Sequence, residues 1–234
     1  MKINLARIVL ASLIVPAAFF LITNRPESAL AAAPSSVPAP LIDNPLAATP
    51  GQETAVFAGG CFWGIQAVYQ HTKGVKSAVS GYAGGRTPSP SYEEVSSGRS
   101  GHAEVVRVVF DPSKVSYGQL LRIFFAVAHD PTQLNRQGPD VGTQYRSEIF
   151  VTNKAQQKIA SAYVAQLGNA KVFSRPIVTK LSSLSTFHVA EDYHQNYAAE
   201  HPNDIYIRIH DAPKVENLKK EFKELYKAEL SAWK

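Results

Sequence analysis

The residues best suited to chemistry lie in the stretch Gly59-Gly60-Cys61-Phe62-Trp63-Gly64, which holds the only cysteine of the 234-residue chain. The two glycines permit a tight turn, and Ile65, Val68 and Tyr69 follow with the spacing of one face of a short helix. We therefore expect Cys61 at a helix N-terminus, where free backbone N–H groups and a partial positive charge favour the nucleophilic thiolate. The alternative is a small buried side chain without reactivity, as most free cysteines are.

A carboxylate in an apolar strand is the second candidate. The segment from Ala103 to Phe110 alternates as a strand, and Glu104 shares one face with Val106 and Val108. Desolvation on such a face disfavours the ionised carboxylate and raises its pKa, which suits a proton donor at neutral pH. The alternative is a strand-end glutamate that faces solvent.

Two other kinds of catalytic site can be drawn from the same chain. A cysteine hydrolase needs a histidine base and a residue that orients it, and His188 and Asn196 follow Cys61 in a workable order. A metal site could start from Glu191 and His194, which would share one face of a helix. The chain has no second pair of that kind, so hydrogen bonding at a helix surface is the alternative.

A site without catalysis is also open at this point. Phe62, Trp63, Tyr82 and Tyr92 could form an aromatic platform that binds a peptide or a sugar. Replacing Cys61 with serine would then leave ligand affinity unchanged.

Strands alternate with helices along the chain and predict an α+β fold, a mixed sheet with flanking helices. Residues 86–100 and the polar stretch 129–146 are predicted to be loops, the second long enough to be functional. The predicted strands are Thr54–Ala58, Gly74–Tyr82, Ala103–Phe110, Ser147–Val151 and Pro176–Lys180. The predicted helices are one opened by Ser116 with Gln119 in a capping box, one over Ala155–Leu167 and one from Pro213 towards Trp233.

The N-terminal fifty residues differ from the rest. Lys2 and Arg7 precede an uncharged run from Ile8 to Ile22, and small residues follow at 28–33, which is the layout of a signal peptide over residues 1–31. An uncleaved membrane anchor is the alternative. Residues 32–50 are rich in alanine and proline, so we expect an extended tether that buries no core, and we expect the catalytic domain at residues 51–234.

Charge and composition exclude some functions. The chain is 45% hydrophobic and 18% charged, which is ordinary for a globular protein. Removing residues 1–31 takes away three basic residues and one acidic residue, so the net charge falls from +5 to +3. The remaining basic residues are scattered, and we expect no nucleic-acid binding.

Eight short motifs, in the same order and spacing, closely resemble those of the type A peptide methionine sulfoxide reductases, over about Thr54 to Phe222. The motifs are Gly59-Gly60-Cys61-Phe62-Trp63-Gly64, Gly81-Tyr82-Ala83-Gly84-Gly85, Ser91-Tyr92-Glu93-Glu94-Val95, Gly101-His102-Ala103-Glu104-Val105-Val106, His129-Asp130-Pro131-Thr132, Asn135-Arg136-Gln137-Gly138, Gly142-Thr143-Gln144-Tyr145-Arg146-Ser147 and Ala190-Glu191-Asp192-Tyr193-His194-Gln195. The resemblance implies a ferredoxin-like split β-α-β core with additional long loops.

The resemblance also implies a reaction, the thiol-dependent reduction of methionine S-sulfoxide, and a role for each candidate residue. Cys61 would attack the sulfoxide sulfur and become a sulfenic acid. Phe62 and Trp63 would receive the methyl group, and Glu104 would donate a proton to the oxygen. The resemblance further implies that Tyr92 and Tyr145 hydrogen-bond that oxygen, and that Asp140 helps to fix the substrate or the pocket. No metal or organic cofactor is implied.

The single cysteine departs from many members of that family, which carry resolving cysteines near the C-terminus. Ser96 also stands where some members have a second cysteine. We therefore expect an external thiol to recycle Cys61: a thioredoxin-like protein, glutaredoxin with glutathione, or a small thiol. The expected substrates are oxidised proteins or peptides that carry methionine sulfoxide, or the free amino acid. We expect a monomer in the periplasm or an equivalent extracytoplasmic compartment, with membrane contact only if the N-terminal segment stays uncleaved.

Overall fold

The computed structural model of the protein describes residues 37–234. The signal peptide or anchor predicted for residues 1–31, and the start of the predicted linker, lie outside the described residues. From residue 37 onwards, no helix combines the length and the apolar character needed to cross a bilayer.

Eight strands and six α-helices make up the described part of the chain. The strands are β1 (Glu53–Gly59), β2 (Val75–Ala83), β3 (Ala103–Phe110), β4 (Arg136–Gln137), β5 (Asp140–Val141), β6 (Ser147–Val151), β7 (Lys180–Ser183) and β8 (Phe187–Val189). The helices are α1 (Phe62–Gln70), α2 (Tyr92–Ser96), α3 (Tyr117–Ile123), α4 (Lys154–Asn169), α5 (Tyr197–Glu200) and α6 (Ala212–Glu221). Two π-helical turns, Phe124–Ala128 and Ile207–Asp211, adjoin α3 and α6.

Six of the strands form one mixed sheet in the order β7-β6-β1-β3-β2-β8, and β4 and β5 form a separate small hairpin. Strands β1 and β2 both pair antiparallel with β3, so they run parallel to each other with β3 between them. Helix α1 connects them, which makes a split β-α-β unit. Only β6 and β7 pair in parallel within this sheet. The predicted α+β class and mixed sheet are confirmed.

The two faces of the sheet differ in what covers them. The main core lies on the face that carries the helices, and Val106, Val108 and Phe110 of β3 belong to it. Val105 points to a smaller apolar cluster on the opposite face. Glu104 has the parity of Val106, so its carboxylate enters the helix-covered face, where the residue is 2% exposed. The predicted burial of this carboxylate is confirmed.

Helix starts follow their local sequence signals closely. The predicted capping box is present at α3, where Ser116 and Gln119 bond each other's backbone N–H groups. A second capping box, between Ser91 and Glu94, starts the short helix α2. The prediction of a loop throughout residues 86–100 is therefore wrong over α2, where the Ser-x-x-Glu pattern is itself a sequence signal for a helix start.

The segment 37–50 forms no helix or strand, but it packs on the domain. Val37 is buried in the main core, and its carbonyl oxygen accepts a hydrogen bond from Arg122 Nε at 2.7 Å. The Asp43 carboxylate accepts from Ser116 Oγ at 2.5 Å and from the Gly118 N–H at 2.9 Å, at the start of α3. The expectation of a tether without core contacts is wrong for this stretch, because an extended segment can still bury the Val37 side chain and bond a helix start through the Asp43 carboxylate.

Two elements near the C-terminus differ from their predicted bounds. Strand β7 begins at Lys180, where the prediction ended, because the preceding Val178 N–H instead bonds the Pro131 carbonyl at 2.8 Å. Helix α6 ends at Glu221, well short of Trp233. The chain then turns back to β2, where the Ala78 N–H bonds the carbonyl of Ala232 at 3.0 Å. The backbone after Glu221 therefore pairs with β2 and does not extend α6.

Candidate active site

The turn between β1 and α1 presents Cys61. Gly60 has a φ of +95°, and a Cβ at this position would lie 2.5 Å from the side chain of Gln137. Glycine is therefore required both by the backbone and by the close approach of the loop. Cys61 is the N-cap residue of α1, which confirms the predicted helix N-terminus.

The thiol of Cys61 is buried and carries its proton at rest. Burial raises the pKa of Cys61 well above its ordinary value, and the negative charges of Glu104 and Asp211 act in the same direction. The backbone N–H of Trp63 and the ammonium of Lys214 act against them but are weaker. The helix end does favour the thiolate, as expected, but desolvation outweighs it and the resting thiol stays protonated.

The Glu104 carboxyl group lies at the same helix end. Its Oε2 accepts a hydrogen bond from the Phe62 N–H at 3.0 Å. Burial raises the pKa of Glu104 to about 8, the Phe62 N–H opposes this, and the charges of Asp140 and Asp211 add to it. The site therefore holds a protonated carboxyl group at neutral pH.

Aromatic rings form the wall beside the thiol. Phe62 is 1% exposed, and its ring centroid lies 5.9 Å from that of Tyr82 and 5.0 Å from that of His194. The Tyr82 hydroxyl is fixed in turn, since it donates to Glu191 Oε2 at 2.7 Å. These contacts hold the Phe62 ring in one place next to Cys61.

Trp63 is only partly buried and is held on three sides. Its ring stacks on Tyr197 at 3.8 Å and 11°, and Tyr206 meets it edge-on at 6.0 Å. Its Nε1–H donates to His194 Nδ1 at 3.3 Å. The accepting role of Nδ1 places the proton of the neutral imidazole on Nε2.

Two tyrosines reach the site from separate segments of the chain. Tyr92 begins α2, where its backbone N–H donates to Glu191 Oε1 at 2.8 Å, and Tyr145 ends the 3-10 turn Thr143–Tyr145. Burial raises the pKa of Tyr92 to about 12 and also raises that of Tyr145, and the Glu104 charge adds to both shifts. Both hydroxyl groups therefore stay protonated and can donate hydrogen bonds at neutral pH.

Asp140 joins the same site from the β4–β5 hairpin. Its Oδ2 accepts a hydrogen bond from the hydroxyl of Tyr206. This bond ties the hairpin to the segment before α6 and places Tyr206 between Asp140 and Trp63. The structure thus brings together all seven residues predicted for the site, which are Cys61, Phe62, Trp63, Tyr92, Glu104, Asp140 and Tyr145.

Sequence reasoning missed several residues of the site. Tyr197, Tyr206, Asp211 and Lys214 lie outside every motif used for the prediction, and they reach the site only through the packing of the C-terminal segment against α1. His194 lies in one of the motifs, but the only role considered for it was that of a metal ligand paired with Glu191. No local pattern marks Tyr197, Tyr206, Asp211 and Lys214.

The metal interpretation has no support from the contacts of its two residues. Both carboxylate oxygens of Glu191 accept hydrogen bonds, from Tyr82 and from the Tyr92 backbone, and His194 Nδ1 accepts from Trp63. His194 Nε2 lies 3.9 Å from Glu191 Oε2. In residues 37–234, no group of three or more His, Cys, Asp and Glu side chains is arranged to hold a metal ion.

The hydrolase interpretation also fails on geometry. The ring of His188 packs edge-on against His102 at 5.2 Å, and the Asn196 amide oxygen accepts from Gln70 Nε2 at 2.6 Å. The two side chains have different partners, and in the described part of the chain no hydrogen bond joins either to Cys61. A cysteine hydrolase requires that chain of contacts.

Comparison with known proteins agrees with the geometry. A family model described as peptide methionine sulfoxide reductase matches residues 53–226. The peptide methionine sulfoxide reductase MsrA 2 of Mesorhizobium japonicum is 57% identical over 179 residues, which are 76% of this chain and 92% of that protein.

Solved structures have the same fold. Mxr1 from Saccharomyces cerevisiae in reduced form is 32% identical with a TM-score of 0.61, and the match covers 67% of this chain and 92% of that one. Methionine sulfoxide reductase A of Corynebacterium diphtheriae is 35% identical with a TM-score of 0.57, over 73% of this chain and 88% of that one.

Proposed function

Because the chain belongs to the peptide methionine sulfoxide reductase family, we propose that Cys61 carries the reaction of that family in this protein. The enzyme is an oxidoreductase that reduces methionine S-sulfoxide to methionine at the expense of thiols. The reaction needs no bound cofactor, because the cysteine sulfur itself takes the oxygen.

The first step moves one oxygen atom and two electrons. The Cys61 sulfur attacks the sulfoxide sulfur and forms an S–S bond, and the S–O bond of the substrate breaks as its oxygen is protonated. That oxygen then bonds to the Cys61 sulfur while the S–S bond breaks, and the products are methionine and Cys61 sulfenic acid. The substrate sulfur is reduced and the cysteine sulfur is oxidised. The hydrogen of the thiol ends on the sulfenic oxygen, so no other oxidant or reductant enters this step.

Glu104 provides the path for that proton. With a pKa of about 8, its carboxyl group is protonated at neutral pH and can donate to the sulfoxide oxygen as the S–O bond weakens. It regains a proton from the Cys61 thiol. The buried carboxyl group of Glu104 at the helix end that carries Cys61 is the observation that carries this proposal.

The remaining site residues hold the substrate. The hydroxyl groups of Tyr92 and Tyr145 donate hydrogen bonds to the sulfoxide oxygen, and Phe62 and Trp63 enclose the terminal methyl group. Burying a methyl group contributes about 1 kcal/mol of binding free energy. Asp140 fixes the pocket through its hydrogen bond with Tyr206. Three contacts around one sulfur select the S epimer.

The second half of the cycle needs an external thiol. Cys61 is the only cysteine, so a thiol from outside attacks the sulfenic acid, releases water and forms a mixed disulfide. A second thiol then restores Cys61 and leaves as a disulfide. A thioredoxin-like protein, glutaredoxin with glutathione, or a small thiol can fill this role. We place this monomeric enzyme outside the cytoplasm, after export through residues 1–31 or while still anchored by them.

One assay tests the function against its alternatives. The protein is incubated with S and R epimers of a methionine sulfoxide peptide and dithiothreitol, and methionine is measured. Loss of the S epimer alone, abolished by Cys61→Ser, is the expected result. Hydrolysis of thioester or peptide bonds would support the hydrolase, and binding without turnover would support the aromatic platform.

A further inference from the structure

A buried ion pair lies beside the reactive turn. Asp211, the last residue of the π-helical turn Ile207–Asp211, is 0% exposed, and its Oδ1 lies 3.0 Å from Lys214 Nζ in the first turn of α6. The Lys214 side chain is 16% exposed. Acidic side chains are rarely buried to this degree unless they are paired.

The pair sits against the first turn of α1. A Cβ on Gly64 would lie 2.1 Å from Asp211 Oδ1 and 2.8 Å from Lys214 Nζ, so the two side chains occupy the space that a side chain at Gly64 would need. Gly64 follows Cys61 by three residues and therefore lies on the same side of the helix end. The ion pair thus covers the turn that carries the thiol.

The pairing of Asp211 is incomplete. Its Oδ2 is buried and has no hydrogen-bond partner within residues 37–234. An unsatisfied buried oxygen is destabilising, so a pair that served stability alone would place a donor at this atom. The second oxygen therefore points to a role in the site.

We propose that Asp211 and Lys214 are positioning residues that set the ionisation of Cys61. The carboxylate keeps the resting thiol neutral, and the ammonium supports negative charge on the sulfur as it attacks. This inference rests on Cys61 being the reactive thiol of the proposed function, and it adds two residues that lie outside the motifs of the site.

Titratable groups from several elements surround the pair and the thiol. They are Glu104 of β3, Asp140 of β5, Tyr92 of α2, Tyr145, Tyr197 of α5, Tyr206, His210 and His129. The charge of Lys214 lowers the pKa of His129. Asp211 raises the pKa of Cys61 and Lys214 lowers it. The two residues therefore have opposite effects on the same atom, and this makes the inference testable.

The single cysteine makes the measurement direct, because iodoacetamide alkylation reports on Cys61 alone. The alkylation rate is followed against pH for the full chain and its variants. We expect Lys214→Gln to slow alkylation at pH 8 by about threefold to tenfold, and Asp211→Asn to speed it by a similar factor, since one pKa unit changes the thiolate fraction tenfold. Lys220→Gln and Glu216→Gln change the same charges at exposed positions of α6 and serve as controls.

A rescue variant separates charge from packing. Lys214→Arg keeps the positive charge and should restore the wild-type pH profile of alkylation, and Lys214→Gln decides the question even if Asp211→Asn does not fold. If Lys214→Gln and Asp211→Asn changed the alkylation rate in the same direction, or by no more than the controls do, the proposal would be overturned. The readout needs no sulfoxide, so it stands or falls separately from the reductase assay with Cys61→Ser.

Discussion

The backbone N–H of Phe62 donates to Glu104 Oε2 at 3.0 Å, which places a buried carboxyl group at the helix end that carries Cys61. Strand β3 supplies the acid and the β1–α1 turn supplies the thiol, so the geometry of the pair is set by rigid elements of the sheet. A loop would hold the two groups less precisely.

This contact predicts the alkaline limb of the pH–activity profile. The acid form of Glu104 is present below a pKa of about 8 and is lost as the pH rises through it, so activity should fall above about pH 8. Glu104→Gln keeps the acceptor for the Phe62 N–H but cannot donate an acidic proton. We expect it to lower kcat by about 10²–10⁴ and to remove that limb, as measured with dithiothreitol as reductant.

Glu93→Gln is the matched control, because Glu93 is exposed on α2 and its carboxylate takes no part in the proposed reaction. A Glu104→Gln enzyme with the wild-type rate and the wild-type alkaline limb would show that the proton comes from another group.

The same substitution should raise stability. The folded-state pKa of Glu104 lies above its ordinary value of 4.5, so between about pH 4.5 and pH 8 the folded state binds more protons than the unfolded state. The contribution of this group to the free energy of unfolding therefore falls as the pH rises through that window. Glu104→Gln should be more stable than wild type by a few kcal/mol at pH 8, and by less at pH 5, in urea denaturation. Equal differences at both pH values would contradict the assigned pKa.

Local patterns in the sequence account for the centre of the site. The Gly-Gly turn and the helical spacing after Cys61 placed the thiol at a helix end, and strand alternation placed Glu104 on the buried face. Both inferences need only neighbouring residues. The start of α3 at Ser116 was likewise set by a capping box.

The parts that could not be predicted depend on contacts between distant segments. Tyr206 and Lys214 reach the site because the C-terminal segment packs on α1, and no motif marks them. The sequence left the ionisation of Cys61 open, because it depends on the sum of the burial of the thiol, the nearby carboxylates and a lysine. Only the folded structure gives that sum.

A single-turnover experiment tests the isolation of Cys61. Without any thiol, the enzyme should reduce one equivalent of methionine S-sulfoxide and stop, because the chain holds no second cysteine to resolve the sulfenic acid. Mass spectrometry should find one added oxygen atom on Cys61, or one dimedone thioether in place of that oxygen when dimedone is present. Continued turnover without external thiol would refute the scheme, and Cys61→Ser should give no product at all.

Tyr206→Phe should impair substrate binding more than chemistry. The Tyr206 hydroxyl donates to Asp140 and so ties the β4–β5 hairpin to the wall of the site. Losing a hydrogen bond to a carboxylate removes roughly 1.5 kcal/mol, so we expect KM to rise by about tenfold with a smaller change in kcat.

Tyr226→Phe provides the comparison for Tyr206→Phe. The Tyr226 ring stacks on His71 at 5.7 Å, outside the catalytic site, so the loss of its hydroxyl should leave KM unchanged. Equal effects of the two substitutions would indicate a general loss of stability and not a loss of positioning.

Arg146 is expected to hold the 3-10 turn Thr143–Tyr145 in place, and with it the Tyr145 side chain. Its Nε lies 2.5 Å from Glu148 Oε2, its Nη1 donates to the Thr143 carbonyl at 2.9 Å, and both partners of the ion pair are nearly buried. Arg146→Met would leave the Glu148 carboxylate unpaired, so we expect a loss of about 3–5 kcal/mol in urea denaturation. The double variant with Glu148→Met should lose less, and a double variant that is as unstable as the single one would contradict this account.

Because Cys61 is the only cysteine, the number of turnovers that each enzyme molecule completes is set by a competition between two reactions. Every turnover ends in a sulfenic acid that faces two competing fates, attack by an incoming thiol or further oxidation to the sulfinic acid, which does not return. The average number of turnovers per molecule is then the ratio of those two rates. Where reductant is scarce and oxidant is abundant, each molecule is inactivated after few turnovers. The amount of active enzyme then depends on new synthesis of the protein.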